Sequence, residues 1–360
     1  MKLGFNYGSY GDVSFLLYVL TQGKIHTDFY DPSANKRFEI HHQGDVFLFS
    51  PNYEDIVDCD KKIKLVSNDN QLTSYKDYDK TIVTPVDSIR AGYTNEDIQR
   101  FLDQGNLFLS MSTISFEHKN FVFYPLFSLV YHYYQLGYKF LNFYQNSNKH
   151  NLLGIYHRPT HIGGTRYPRR NYIYDQVKDR LGDDFVCYPS PSTDLDLLLD
   201  SYRFFGQWYN THISSYTDYS TSVANIIFET FDSHGTYSYD SRLLISEKTL
   251  KALLFSKENI FFIWYGHDTF IPHLKDHGFW FLNFEFYDAK NNSEDTAVFD
   301  SLIKTTEYLR QLKNQLGGNE TVYKYLLEKY GKHLERNSML FDQLIHQCSI
   351  SDQVISLIKQ

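Results

Sequence analysis

The chain predicts an α/β protein in two domains, each built around a parallel sheet. Short apolar runs of strand length alternate with helix-length segments in both halves of the sequence, a pattern that implies strands joined by crossover helices. At 360 residues the chain also exceeds what one hydrophobic core usually holds.

In order along the chain, residues 3–7 read as a first strand. The loop Gly8-Ser9-Tyr10-Gly11-Asp12 follows, then an apolar helix to about Leu20 that Asp12 can cap. "KIHTDFY", "DVFLFSP" and "KIKLVSN" read as strands separated by Pro/Asn/Asp-rich turns. "NEDIQRFLDQGN" is a helix with Gly105 near its end, "LFLSMSTI" a buried strand, and 124–145 an aromatic helix that leads to the polar break "NSNKHN". A second series then begins. Strands "LLGIY", "DFVCYP", "SVANIIFETF", "NIFFIWYG" and finally "FWFLNF" alternate with helices "RRNYIYDQVKDRLGDD", "SEKTLKALLFS" and "DTFIPHLKDHGF", while "STDLDLLLDSYRFF" reads as helix or loop. Beyond Thr296 the pattern is helical. The expected division is therefore 1–148, 149–295, and a helical segment 296–360 that packs across the domains or back onto the first.

Composition narrows the function classes. Hydrophobic residues at 42% and charged ones at 22% give a globular balance. The 31 Tyr and 29 Phe against 3 Trp read mainly as the codon usage of an AT-rich genome, with carbohydrate or base stacking as the other explanation. A net charge of −8 argues against a surface that is basic overall, and so against bulk nucleic-acid or membrane binding, but leaves room for a local basic cleft. Cys59, Cys187 and Cys348 lack CxxC spacing, which disfavours a disulfide framework or a zinc site and suits a reducing cytoplasm. The start "MKLGFNYGSYGD" has no apolar signal-peptide core, and no run reaches the roughly 18 apolar residues of a membrane span. The expectation is a soluble, cytoplasmic protein.

The segment "LLISEKTLKALLF" opens with a puzzle. Ser246 is a good helix N-cap and Glu247 suits the positive end of the helix dipole, but Lys248 opposes it at a cost of roughly 0.3–1 kcal/mol. Leu250, Leu253 and Leu254 form one apolar face that packs on the sheet, so the first turn points at the carboxyl ends of the strands, where open parallel sheets bind ligands. Unpaired amides at a helix start bind anions. A diphosphate there offsets the lysine's cost, and Glu247 can accept hydrogen bonds from ribose hydroxyls. The plain alternative is a solvated first turn with Lys248 in water.

Ser246-Glu247-Lys248-Thr249, the strand "IFFIWYG", the segment "HLKDHGFWFLNFEFYD" and Glu229-Thr230 ahead of them resemble fucosyltransferase-like glycosyltransferases of the GT-B fold, a kind that phage and giant-virus sequences share. The resemblance covers about 225–290 and, more loosely, 150–180. It implies a GT-B-like pair of Rossmann-like domains facing an interdomain cleft, with C-terminal helices. It also implies a nucleotide-sugar donor in the second domain, with Glu247 on the ribose and Lys248 on the diphosphate. Ser246, Thr249, Glu229 and Gly266 are donor-side by the same resemblance. The family's arginine segment falls on "GIYHRPTHIGGTRYPRRNY", where Arg158 fits its first arginine and Arg169 or Arg170 its last; the insertion "HIGGTRYP" leaves open which of them meets phosphate. Gly266 either lets backbone pass close to the donor or merely ends its strand, and Gly278 reads as a helix C-cap.

In such an arrangement Asn6, Tyr7 and Gly8 are acceptor-binding candidates, and the base that deprotonates the acceptor hydroxyl is sought in Glu117, its neighbour His118 or Asp12. Asp194-x-Asp196 is a weak metal signal at what is more simply a helix start, so no metal and no cofactor are expected, the nucleotide-sugar being a co-substrate. The acceptor stays open between a glycan, a lipid-linked saccharide, a protein and a modified DNA base. DNA would need residues 157–170 with Lys61, Lys62 and Lys64 to form a basic groove. A non-catalytic binding protein on a decayed transferase fold is the reading from a different class.

Overall fold

Strand β1 (Lys2–Asn6) is buried from Leu3 onward and lies inside a seven-stranded sheet. The computed structural model of the chain describes residues 1–8, 13, 16–17, 19–20, 37–66, 72–84, 94–110, 116–123, 148–156, 168–188, 219–229, 247–266, 270–288, 294–346 and 351–360. These form two compact units, Met1–Gly137 with Gln343–Gln360 and Tyr138–Asp342. Both are α/β, the first with a mostly parallel sheet and the second with a parallel one. Residues 296–360, which the sequence set apart, divide between the two units at Asp342. The expected strand "KIHTDFY", the helix 124–145 and the segment "STDLDLLLDSYRFF" lie outside the described residues.

In the first unit the strands are β2 (Phe38–His42), β3 (Asp45–Ser50), β4 (Lys61–Val66), β5 (Lys80–Val83), β6 (Leu107–Ser110) and β7 (Phe121–Phe123), in the order β2-β3-β1-β4-β5-β6-β7. All pairings are parallel except β2 with β3. Strand β2 falls where no strand was expected. Its hairpin turns at Gln43 and Gly44, with φ of 51° and 84°, the paired positive values that suit strand twist, but "HHQGD" lacks the Asn-Gly or Asp-Gly signal. On one face of the sheet Phe5 stacks on Phe49 with 4.7 Å between centroids. On the other, a Cβ at Gly4 would stand 2.6 Å from Ile56 Cβ, so only glycine admits the 3-10 turn Tyr53–Ile56 that covers it. Helix α1 (Asn95–Asp103) starts with a capping box. Asp97 N–H donates to Thr94 Oγ1, and Thr94 N–H to the Asp97 carboxylate. Its Ile98, Phe101 and Leu102 pack with Val83, Phe108 and Phe121.

The second unit has a four-stranded, wholly parallel sheet. It comprises β8 (Asn151–Tyr156), β9 (Phe185–Tyr188), β10 (Ser222–Phe228) and β11 (Phe261–Tyr265), in the order β11-β10-β8-β9. Helix α2 (Pro168–Leu181) joins β8 to β9, and α3 (Glu247–Ser256) lies between β10 and β11. Helix α4 (Phe270–Asp276) ends at Gly278, whose φ of 82° makes it the C-cap its sequence position suggested. Long helices α5 (Glu294–Leu316) and α6 (Asn319–His346) follow.

The expected strand "FWFLNF" does not form. Residues Leu282–Glu285 make a 3-10 turn instead, because one side chain there does what a whole strand would have done. Asn283 lies against the edge of β11 that no described strand pairs, where its Oδ1 accepts from Trp264 N–H at 2.9 Å and its Nδ2 donates to Trp264 C=O at 3.0 Å. Nδ2 also donates to Ser301 Oγ at 3.0 Å, which ties the edge to α5. Asn337 of α6 repeats the device on Trp280, at 2.8 and 2.7 Å.

Helix α7 (Ser351–Lys359) belongs to the first unit. Lys61 and Lys80 donate to the carbonyls of Lys359 and Leu357, each at 2.6 Å, and so cap the negative end of the helix. No helix among the described residues is long and apolar enough to cross a membrane.

Lys149, just before β8, donates to Ser220 C=O at 2.5 Å and sits 4.3 Å from the ring centroid of Tyr323. Burial lowers its pKa to about 8, against a small opposing pull from Glu320. The unfolded chain therefore binds more protons than the folded one between about pH 8 and 10.5, and stability rises with pH across that window. Relative to Lys149→Met, the wild-type protein should gain stability from about pH 7 to about pH 10, read by denaturant titration; a pH-independent difference would contradict the burial cost. Asn283→Ala strands both polar groups of a buried peptide and should lower the unfolding free energy by about 2–4 kcal/mol. A urea-denaturation loss below about 0.5 kcal/mol would mean that the clamp is dispensable.

Candidate functional site

In the second sheet β8 neighbours β10, and their connections lead away in opposite directions, to β9 on one side and to β11 on the other. This is a topological switch point, where doubly wound sheets open a crevice at the carboxyl ends of the strands. Glu229 follows the last residue of β10, its N–H donating to Tyr265 C=O at 2.8 Å. Its carboxylate accepts the N–H of Thr249 at 3.1 Å and also the Thr249 hydroxyl. That hydroxyl in turn accepts the indole N–H of Trp264 at 2.8 Å. Glu229 is 2% exposed, and Thr249 and Trp264 are fully buried.

Three expectations change here. Thr249 and Glu229 were assigned to the donor, but both are buried and bonded to each other, so they hold the start of α3 from behind. The N–H of Thr249, one of the first-turn amides expected to be open to an anion, is taken by Glu229. Gly266 has a third explanation. A Cβ there would stand 2.5 Å from the Trp264 ring and 3.1 Å from Glu229 Cβ, so the glycine makes room for the indole.

Glu247 and Lys248 do occupy the first turn of α3, and Arg169 and Arg170 the first turn of α2 behind Pro168, a residue suited to that position. Both helices follow strands of the same sheet, so both starts lie toward its carboxyl edge. The side chains of these four residues lie outside the described ones, as do Ser246, Arg158, Asp12, Asp194 and Asp196. No family model, curated protein or solved structure matches the chain.

The first unit has its own switch point, between β1 and β4. Asn6 and Lys64 stand in register there, Lys64 Nζ donating to Asn6 Oδ1 at 2.6 Å. Tyr78 OH donates to the same oxygen at 3.0 Å, and Asn6 Nδ2 donates to the carbonyls of Ser50 and Pro51. Ser50, in register on β3, donates its hydroxyl to Asp55. Of the acceptor candidates, Asn6 is therefore the hub of a polar row at the carboxyl edge, Tyr7 is buried with its phenol pKa raised by that burial, and Gly8 is exposed. Sequence reading missed Lys64, Tyr78, Ser50 and Asp55 as members. The period of "KKIKLV" held a clue, since it sets Lys64 opposite the buried Ile63 and Leu65.

Glu117 does not fit the base role. It is exposed and precedes β7, so it lies at the amino edge of the sheet, away from Asn6. The proposed DNA groove also loses members, because Lys61 caps α7 and Lys64 is bonded to Asn6. Among the described residues no His/Cys/Asp/Glu group is arranged to hold a metal ion.

Gly266→Ala should force the Trp264 ring aside and destabilise the fold by about 1–3 kcal/mol. Thermal unfolding within error of wild type would show that the indole has room to spare.

Proposed function

We propose that the chain is a metal-independent glycosyltransferase of GT-B type, which moves a sugar from a nucleotide-sugar to an acceptor hydroxyl. The observation that carries this reading is the buried Glu229-Thr249-Trp264 network. It fixes, at the switch point of the second sheet, the helix turn that bears Glu247 and Lys248. In this reading the donor diphosphate meets the start of α3 with Lys248, and Arg158, Arg169 or Arg170 binds phosphate through a planar guanidinium. As the acceptor oxygen attacks the anomeric carbon, the bond to the diphosphate breaks and negative charge grows on the leaving oxygens. Fixed amides and cations stabilise that charge without rearranging. With Glu117 and His118 both before β7 at the wrong edge, Asp12 is the remaining candidate for the base that takes the acceptor proton.

In this reading the acceptor is sought at the carboxyl edge of the first sheet, where Gly8 is exposed, while Asn6 and Tyr7 are buried and shape that edge from beneath rather than touch the acceptor. A glycan hydroxyl suits it better than a modified DNA base, since two of the three lysines invoked for a DNA groove are committed elsewhere. A second reading, a binding protein without transfer activity, draws on one observation: the Glu229 carboxylate already satisfies an amide that an anion would otherwise use.

Thermal shift and turnover with UDP-, GDP-, ADP- and CMP-sugars decide between these readings. The transferase reading expects one donor to bind and to be consumed when an oligosaccharide is added. Lys248→Ala should then weaken donor binding about tenfold or more without changing the melting temperature. Binding without turnover favours the second reading; a Lys248→Ala protein of unchanged affinity would remove the phosphate role.

A further inference from the structure

The contact between Glu229 and Thr249 performs an unusual task. The N–H at the third position of a helix is ordinarily taken by the residue just before the helix, a short-range tie within one stretch of chain. Here it is taken by a carboxylate 20 residues earlier, at the end of β10. Capping alone does not require this. A serine or aspartate at the helix start serves as well, without the desolvation of a carboxylate that is 2% exposed.

What the arrangement adds is a fixed position relative to the sheet. From Thr249 the chain of buried hydrogen bonds continues through the Trp264 indole, and from the Trp264 peptide through Asn283 to Ser301 of α5. Strand end, helix start, sheet edge and a second helix are thereby joined through side chains that are all buried. The glycine at 266 removes the one Cβ that would push the indole out of this chain.

We infer that Glu229, Thr249 and Trp264 are positioning residues of the donor site, which hold the first turn of α3 in place for a diphosphate without touching it. This rests on the donor reading above. The network sets the placement of the amides and of Lys248, so disturbing it should weaken the hold on phosphates and leave contacts to the nucleoside alone.

The test uses the full chain labelled with ¹⁵N. Its three tryptophans give three indole N–H resonances, and the one from Trp264 is assigned by its loss in Trp264→Phe. The sugar-nucleotide that binds among the UDP-, GDP-, ADP- and CMP-sugars should shift that resonance. Thr249→Val should raise its Kd about tenfold or more and leave the Kd of the matching nucleoside within about twofold, and Thr249→Ser, which restores the hydroxyl, should recover wild-type affinity. A merely structural role would weaken both ligands together. Equal losses for sugar-nucleotide and nucleoside, or no loss for either, would overturn the positioning role while the donor reading stood. A wild-type protein that binds none of the four would overturn both. Should Thr249→Val not fold, Trp264→Phe, which deprives Thr249 of its indole donor, takes its place, and because it lacks the indole reporter its two Kd values are read from backbone amide shifts, with the same outcomes deciding.

Discussion

The second unit depends on how a sheet ends. A terminal strand has one edge that no other strand pairs, and among the described residues β11 is such a strand, buried on all five residues. That buried edge still needs hydrogen-bond partners, and among the described residues no further strand pairs with it. A single carboxamide, Asn283, takes both the N–H and the C=O of Trp264, the fourth of the strand's five residues, and so satisfies the edge there. Because that backbone is held, the indole of the same residue is held, and its N–H has one direction in which to donate. Thr249 lies in that direction. The position of α3 against the sheet thus follows from an edge that had to be satisfied, with Glu229 completing the link from the neighbouring strand.

The two units solve a similar problem with different chemistry. Each has a first parallel strand that is flanked by the second on one side and the third on the other, so each has a switch point at its carboxyl edge. In the second unit the group at that point is a carboxyl group, Glu229, bonded to a helix start. In the first it is an amide, Asn6, that joins a lysine, a tyrosine and two backbone carbonyls. An amide can both donate and accept, which lets one side chain bridge three strands and the segment before β5. Neither arrangement shares residues with the lysine pair that receives the end of α7 at the starts of β4 and β5.

Much of this was legible in the sequence wherever a local signal and the tertiary outcome agreed. The apolar runs of β3, β8, β10 and β11 are strands because both faces of each are covered, and Gly278 caps α4 because its backbone demands it. "FWFLNF" failed as a strand for a reason outside its own composition: one asparagine within it found a buried peptide to pair with, and the rest was free to turn. β2 was missed because a Gln-Gly turn carries a weaker signal than Asn-Gly. At the site, the positions of Glu247 and Lys248 in a first turn were readable from capping rules. The inward roles of Glu229 and Thr249 were not, since they depend on the indole of Trp264, which comes from a third element. Glu117 was misplaced because local sequence does not say at which end of a strand a loop emerges.

Amide hydrogen exchange at Thr249 tests the central contact most directly. Amides in a helix's first turn exchange readily unless a fixed acceptor holds them. In the wild-type protein the Thr249 amide should exchange as slowly as those in the middle of α3, and in Glu229→Ala it should accelerate to the rate of an uncapped helix start while amides near Phe255 stay protected. Fast exchange at Thr249 in the wild-type protein, or no change on removal of the carboxylate, would contradict the account.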